Sequence, residues 1–429
     1  MPFAVSMDTE EKFQPGERGM PKSIFVAPTR LTTVRILILM EFIAILVSTS
    51  LAVVVEFLIY LTILSSRDLL KRVWATLKQP MIRMALVWTL VLVLSCLYTI
   101  APKEDLADIM SSWRKLLLLP IAAAFFNDPK WKDRAMHVFF YAISLMLALS
   151  SLTWLLGLNF YKYEVGVIVG NHAFQGMVFA VCILLGLAQA REFRNEPAKM
   201  AICLAMTVVA FLNIVFVTPG RSGYLAMIVI VSLCIFFSIS GLRKYLVFLL
   251  LILVMASALS FSPVARERIE MGLAEINSYR DSPQPTSMGV RMVAWEASLR
   301  LIAEKPILGY GTAAYAEAYR RTIDGRSGWQ GEVIEDPHNQ FLRILVEHGM
   351  VGLFFFLLFI GSFFLQSVPR RFRILGLCVL LTWCATSLFS SHFTTFFEGR
   401  FLMLWLGIFL SASPQPADPA HGAYSAQNG

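Results

Sequence analysis

The chain has 429 residues, 57% of them hydrophobic and only 15% charged, with a net charge of +8. Soluble domains average about 25% charged residues, and the apolar excess here falls in blocks of about 17–25 residues, the length that spans hydrocarbon. A soluble globular protein is excluded. A nucleic-acid partner is not needed to explain the charge either, because the basic residues flank apolar blocks as membrane topology demands.

The first thirty residues are polar, with proline, glycine and mixed charge, and contain no short apolar core followed by a small-residue cleavage site. They read as a cytoplasmic tail, 1–32. About twelve transmembrane helices follow, at 33–49, 51–66, 82–100, 115–127, 135–158, 173–190, 199–217, 222–240, 244–262, 345–367, 373–391 and 399–412. The fold class is an all-α polytopic membrane protein. Helices 1–9 occupy 33–262 and helices 10–12 occupy 345–412, with a long loop at 263–344 and a second polar tail at 413–429. Lysine and arginine set the orientation: Arg67, Lys71 and Arg72, then Lys130, Lys132 and Arg134, then Arg191 and Arg194, then Arg243 and Lys244, then Arg370, Arg371 and Arg373 fall on one side. That side is cytoplasmic by the positive-inside rule. Both termini are then inside and the long loop is outside, as expected of a protein in a bacterial inner membrane. The six cysteines all lie in apolar blocks without CxxC or Cys/His spacing, so no disulfide, metal site or cofactor is expected.

Glu41 and Glu56 fall inside the first two spans at similar depth. Carboxylates there are costly in lipid, so they read as a buried structural pairing or as a proton relay. Arg221, in Thr218-Pro219-Gly220-Arg221-Ser222-Gly223, starts a span at an outward turn. A cation at a helix N-terminus is at the wrong end of the dipole. A phosphate ligand would satisfy it with bidentate geometry; the competing reading is a side chain reaching lipid headgroups.

The outer loop supplies Arg266, Arg268 and, after Gly289, Arg291. Local ion pairing with Glu267 or Glu270 competes for the first two. Residues 291–304 form an amphipathic pattern with Trp295, Leu299 and Ile302 on one face, either a surface lid or a packing helix. Pro306 ends it, and Gly309 and Gly311 permit a tight turn or a close backbone approach to a ligand. In Glu335-Asp336-Pro337-His338-Asn339, Asp336 suits an N-cap and Pro337 the first helical position. His338 is then expected in a first helical turn, where the dipole disfavours imidazolium and leaves a proton acceptor. The alternative is a histidine that merely hydrogen-bonds at the interface. Asn339, Arg343 and Glu347 repeat at helical spacing: Asn339 and Glu347 are candidates for substrate binding, against a plain Arg343–Glu347 pair. Glu398 and Arg400 at the outer end of the last span either line the same cavity or pair with each other.

These blocks resemble the O-antigen ligase and polymerase superfamily. The matching residues are the Thr218–Gly223 turn, Gly289-Val290-Arg291 with Trp295, Pro306 with Gly309 and Gly311, and Pro337-His338-Asn339-Gln340 through Glu347-His348-Gly349 and Gly352. The resemblance implies a GT-C-like, metal-independent membrane glycosyltransferase that moves a glycan from undecaprenyl diphosphate to an acceptor in the periplasm, which for a ligase is lipid A–core. It places the family histidine on His338 and the phosphate-binding arginines on Arg221 and Arg291; beside them Arg266 is a further candidate for the diphosphate, and Arg400 joins Asn339 and Glu347 as a candidate for substrate binding. Polymerases typically carry longer or paired outer loops, and protein O-oligosaccharyltransferases usually extend further at the C-terminus, so a ligase is the first expectation. A secondary transporter or lipid flippase is the rival class, but the long loop breaks the internal symmetry that transporters show.

Overall fold

The computed structural model describes residues 30–159, 165–218, 220–261, 263–323, 325 and 327–412. Among them every regular element is a helix. α1 (Arg30–Val47) and α2 (Thr49–Leu64) form a hairpin capped by Ser48, and α2 turns by 103° into α3 (Arg67–Ala75). α4 (Pro80–Ser95), α5 (Lys103–Trp113) and the short α6 (Leu118–Phe125) lead to the long α7 (Pro129–Leu155). Proline opens α4 and α7, and Asp128 caps α7 by accepting from Lys130 N–H at 2.9 Å, the pairing of cap and fixed φ that favours a helix start. α8 (His172–Glu192), α9 (Pro197–Leu212), α10 (Arg221–Ser238) and α11 (Arg243–Phe261) complete the first nine expected spans. The expected loop contains α12 (Pro263–Ser278), α13 (Ser287–Glu304) and α14 (Tyr315–Arg320), and α15 (Gln340–Ser362), α16 (Arg370–Thr386) and α17 (Phe396–Phe409) close the chain.

All twelve expected spans coincide with helices. Among the described residues five helices are long and apolar enough to cross a membrane, starting at Pro129, His172, Pro197, Arg221 and Gln340, and the bent pair beginning at Thr49 makes six. Large apolar side chains such as Phe57 on α2 and Leu246 on α11 face outward, as lipid contact requires.

α8 and α17 form the centre of the bundle, buried along most of their lengths. α8 meets α10 where Gly176 abuts Gly223: a Cβ on Gly176 would sit 2.7 Å from the Gly223 Cα. Small residues at such crossings let helix backbones approach, the main source of packing energy in lipid. Around α17, Trp383, Phe401 and Trp405 stack nearly parallel, with centroids 5.1 and 5.7 Å apart.

The insertion between α11 and α15 has its own small core of Ala297, Leu301, Tyr310, Tyr315, Tyr319 and Val346. Its inward face differs from the expected one. Leu299 is 60% exposed, and the buried stripe runs through Val293, Ala294, Ala297 and Leu301. Small residues win that face because α13 packs against the helical neighbours α12, α14 and α15.

The 306–311 segment locks the insertion to the bundle. α15 is interrupted at Gly349 (φ 61°, ψ −163°), a conformation nearly restricted to glycine. Tyr310 and Gly311 N–H donate to the carbonyls of Val346 and Glu347 at 2.9 and 2.7 Å. Met350 and Val351 N–H donate to the carbonyls of Pro306 and Ile307 at 2.8 and 3.2 Å. Backbone groups freed by the break must be satisfied at membrane depth, and this loop satisfies four of them. Gly309 and Gly311 thus allow close approach to protein rather than to a ligand. A Cβ on Gly309 would lie 2.5 Å from the Val346 oxygen, and one on Gly311 would lie 2.3 Å from the Thr99 Cα.

Candidate functional site

The N-termini of α8 and α10 share one end of the bundle, since Gly220 touches His172. Beneath the Thr218 turn lies a buried polar network. Thr218 Oγ1 donates to Asn213 Oδ1 at 2.7 Å, and Gln175 Nε2 donates to Thr218 Oγ1 at 3.2 Å and to the Gly166 carbonyl at 2.9 Å. A satisfied buried network of this kind fixes geometry, and here it fixes the turn that carries Arg221.

The Arg221 guanidinium lies against the backbone of α12: a Cβ on Gly272 would be 2.9 Å from Nη2 and 3.0 Å from Cζ. Its Nη2 is 3.8 Å from Glu275 Oε2, the oxygen that also accepts from Met288 N–H at 2.7 Å. The protein therefore supplies an anion to Arg221. Arg291 is half-buried on the next turn of α13. Its Nη1 donates to the Ser287 carbonyl and hydroxyl at 2.9 and 2.7 Å, while its Nε is buried with no acceptor among the described residues. Burial weakens its hold on the proton, the charge of Arg221 does so further, and Glu275 opposes them. Glu275 thus faces Arg221, and its charge also acts on Arg291.

His338 feels the charge of Arg291, but does not stand inside a helix. It has φ 52°, in the left-handed region that non-glycine residues seldom occupy. The helix begins two residues later, with Asn339 as its cap, accepting from Phe341 and Leu342 N–H at 3.0 and 3.2 Å. This corrects the expectation that Asp336 caps and Pro337 opens the helix. Asp336 is engaged elsewhere: its Oδ1 accepts from His338 N–H and from Ser391 Oγ, each at 2.7 Å, and its Oδ2 meets Arg343 Nη1 at 3.1 Å. Trp295 Nε1 donates to the Pro337 carbonyl at 2.9 Å. The histidine backbone is clamped from three elements, which is how strain of this type persists at functional sites.

The imidazole of His338 is held below its ordinary value by burial; Asp336 pushes back up, and the charge of Arg291 pushes down. It is therefore neutral and able to accept a proton near neutral pH. A base works only above its pKa, so opposite shifts are expected from two substitutions. Arg291→Gln should move the acid limb of the pH–rate profile to higher pH, and Asp336→Asn should move it to lower pH. Initial transfer rates measured across the acid range check this, and two limbs that move in the same direction contradict it.

The other expected site residues divide. Arg343 Nε bonds Glu347 Oε1 at 3.2 Å, so the Asn339–Arg343–Glu347 stripe is an N-cap followed by a buried ion pair. Glu398 and Arg400 do not pair with each other: Glu398 Oε1 is 3.7 Å from His392 Nδ1, and Arg400 Nε is 3.2 Å from Glu56 Oε2. Arg400 is thus committed to a buried cluster with Glu56, which also takes the Tyr60 hydroxyl at 2.6 Å and lies 3.3 Å from Arg114 Nε. Glu41, read together with Glu56 from sequence, differs from it, since both of its buried oxygens have no hydrogen-bond partner. Arg266 is exposed at the start of α12 and donates to the Ser260 carbonyl. The side chain of Arg268 lies outside the described residues.

Two residues escaped sequence reasoning. Lys115 is buried and donates to the carbonyls of Thr394 and Thr395 at 2.6 and 2.8 Å, pinning the loop whose Ser391 holds Asp336. His392, in the same loop, is 1% exposed. A lysine beside one apolar segment carries no sequence signal that it will bind a loop 279 residues away.

A helical bundle of this build, with helices long and apolar enough to cross a membrane, is a polytopic membrane protein, and its polar site is drawn from distant parts of the chain. Residues 206–357, which carry Arg221, Arg291 and His338, match the family described as O-antigen ligase. Over that segment the chain is similar to the O-antigen ligase superfamily. It is also similar to an uncharacterized protein of Haemophilus influenzae, 25% identical over 275 residues, which cover 60% of this chain and 65% of that protein.

Proposed function

We propose that the protein is an O-antigen ligase, transferring a glycan from undecaprenyl diphosphate to the outer-core sugar of lipid A–core in the periplasm. One observation supports the reading: Arg221 meets Glu275 at 3.8 Å, Arg291 feels both charges, and the charge of Arg291 acts in turn on His338, all inside the family-matched segment. In this mechanism the acceptor hydroxyl attacks the anomeric carbon, and His338 takes the hydroxyl proton as the new C–O bond forms. The bond from the anomeric carbon to the diphosphate breaks, and its electron pair leaves on undecaprenyl diphosphate. Arg221 and Arg291 stabilise that growing charge, a contribution that often dominates catalysis. A single displacement inverts the anomeric centre. The assigned steps need proton transfer and anion stabilisation, and no metal ion.

The test offers three acceptors in competition to protein reconstituted with lipid-linked glycan and no ion gradient: lipid A–core, a second lipid-linked repeat and a serine-containing peptide. Transfer to lipid A–core is expected. Chain extension of the repeat would make it a polymerase and glycosylated peptide a protein O-oligosaccharyltransferase; no transfer to any acceptor, with movement of the lipid-linked glycan once a gradient is imposed, would make it a transporter.

A further inference from the structure

A second basic site lies at the other end of the bundle. Arg371 meets Asp133 Oδ1 at 3.2 Å and Glu192 Oε2 at 2.6 Å, so the start of α7 and the end of α8 share that end. The 21 residues of α8 separate it from His172 and Arg221, a distance of about 31 Å. There a cavity of about 380 Å³ is lined by Leu39 of α1 and by Trp131, Asp133, Arg134, His137, Val138 and Tyr141 of α7.

The Arg35 and Arg134 guanidiniums both sit over the Trp131 ring, 4.8 and 4.6 Å from its centroid. Arg35 also feels the charges of Arg72 and Asp128. Two guanidiniums therefore converge on one indole; Arg35 Nε also donates to the Phe125 carbonyl at 2.8 Å, Asp128 caps α7 and Asp133 pairs with Arg371. Like charges on one indole repel, and an anion between them would relieve the repulsion. α7 has 27 residues, about 40 Å of helix against a hydrocarbon core of about 30 Å. Its first turns thus reach the headgroup layer, where tryptophan and arginine settle.

From the cavity, two apolar stripes run toward the bundle centre. Ile36, Met40, Ile43 and Val47 are exposed along α1, and Tyr141, Leu145, Leu149 and Leu152 along α7. The α1 stripe covers eleven residues of rise, about 16 Å, close to the depth of one leaflet's hydrocarbon. We propose that the Arg35–Trp131–Arg134 cluster beside this cavity binds the phosphate of an anionic phospholipid, whose acyl chains lie along the α1 and α7 stripes. Charge complementarity at the head and apolar continuity below it select a lipid over a soluble anion. The site is independent of the transfer reaction assigned to the opposite end.

The test uses the full chain in nanodiscs of phosphatidylglycerol and phosphatidylethanolamine, with retained lipid counted by native mass spectrometry. Wild type should retain phosphatidylglycerol preferentially. Arg134→Gln, at an exposed position, should weaken retention about fivefold to tenfold, and Arg35→Gln should act likewise. Arg194→Gln, an exposed arginine at the same end, should leave retention unchanged and so control for diffuse surface attraction. The proposal is overturned by equal retention of the two lipids, by an equal loss in the Arg194 variant, or by displacement of the lipid with inorganic phosphate.

Discussion

His338→Ala should reduce glycan transfer by about 10²–10⁴-fold, the usual contribution of a general base, and leave the fold in place. The fold tolerates the change because the contacts that clamp this segment are made by other groups. Asp336 receives the His338 backbone N–H, and Trp295 bonds the Pro337 carbonyl; neither needs the imidazole. Only the acceptance of a proton from the acceptor hydroxyl is removed. The left-handed backbone costs alanine and histidine alike, and His338→Gly, which relieves that strain, should be equally inactive. Initial rates in reconstituted membranes, with thermal melting as the folding control, decide the matter. A His338→Ala rate within twofold of wild type removes the histidine from the mechanism.

Glu56→Ala should destabilise the protein by about 3–5 kcal/mol, the cost of leaving one member of a buried ion pair without its partner. Arg400 is 2% exposed and rests on the Phe396 ring at 3.8 Å, with Glu56 as its counter-charge. Arg114 and the Tyr60 hydroxyl would lose the same acceptor. The effect should appear as a lower melting temperature in detergent. The double variant Glu56→Leu with Arg400→Met removes both charges and should recover much of the loss, since apolar replacement of a whole buried pair is often neutral or better. A double variant less stable than Glu56→Ala alone would show that Arg400 is held by something other than Glu56.

Much of the helical framework is legible in the amino-acid sequence, because apolar blocks bounded by Pro, Gly, Asn and Ser report helix and cap directly. The ends shift by a few residues. Asn339 rather than Asp336 starts α15, since both can cap and only the folded chain brings Ser391 and Arg343 to Asp336. The break at Gly349 is hidden for a different reason. A glycine in an apolar run reads as a small packing residue, and the loop at Pro306–Gly311 that replaces its hydrogen bonds is distant in sequence. Arg221 and Arg291 stand out locally, but Glu275, which neutralises part of their charge, does not; its role needs α12 folded back over α10. Arg400 misleads for the same reason in reverse, since its partner Glu56 lies 344 residues earlier.

The central claim is that guanidiniums from α10 and α13 form one diphosphate-binding site beside His338. The most direct measurement is equilibrium binding of an undecaprenyl-diphosphate-linked glycan to purified wild type, to His338→Ala and to the double variant Arg221→Gln with Arg291→Gln. Charge-assisted contacts contribute about 1.5–3 kcal/mol each, so the double variant should bind at least a hundredfold more weakly, and His338→Ala should bind as wild type does. Unchanged donor affinity in the arginine double variant would contradict the account.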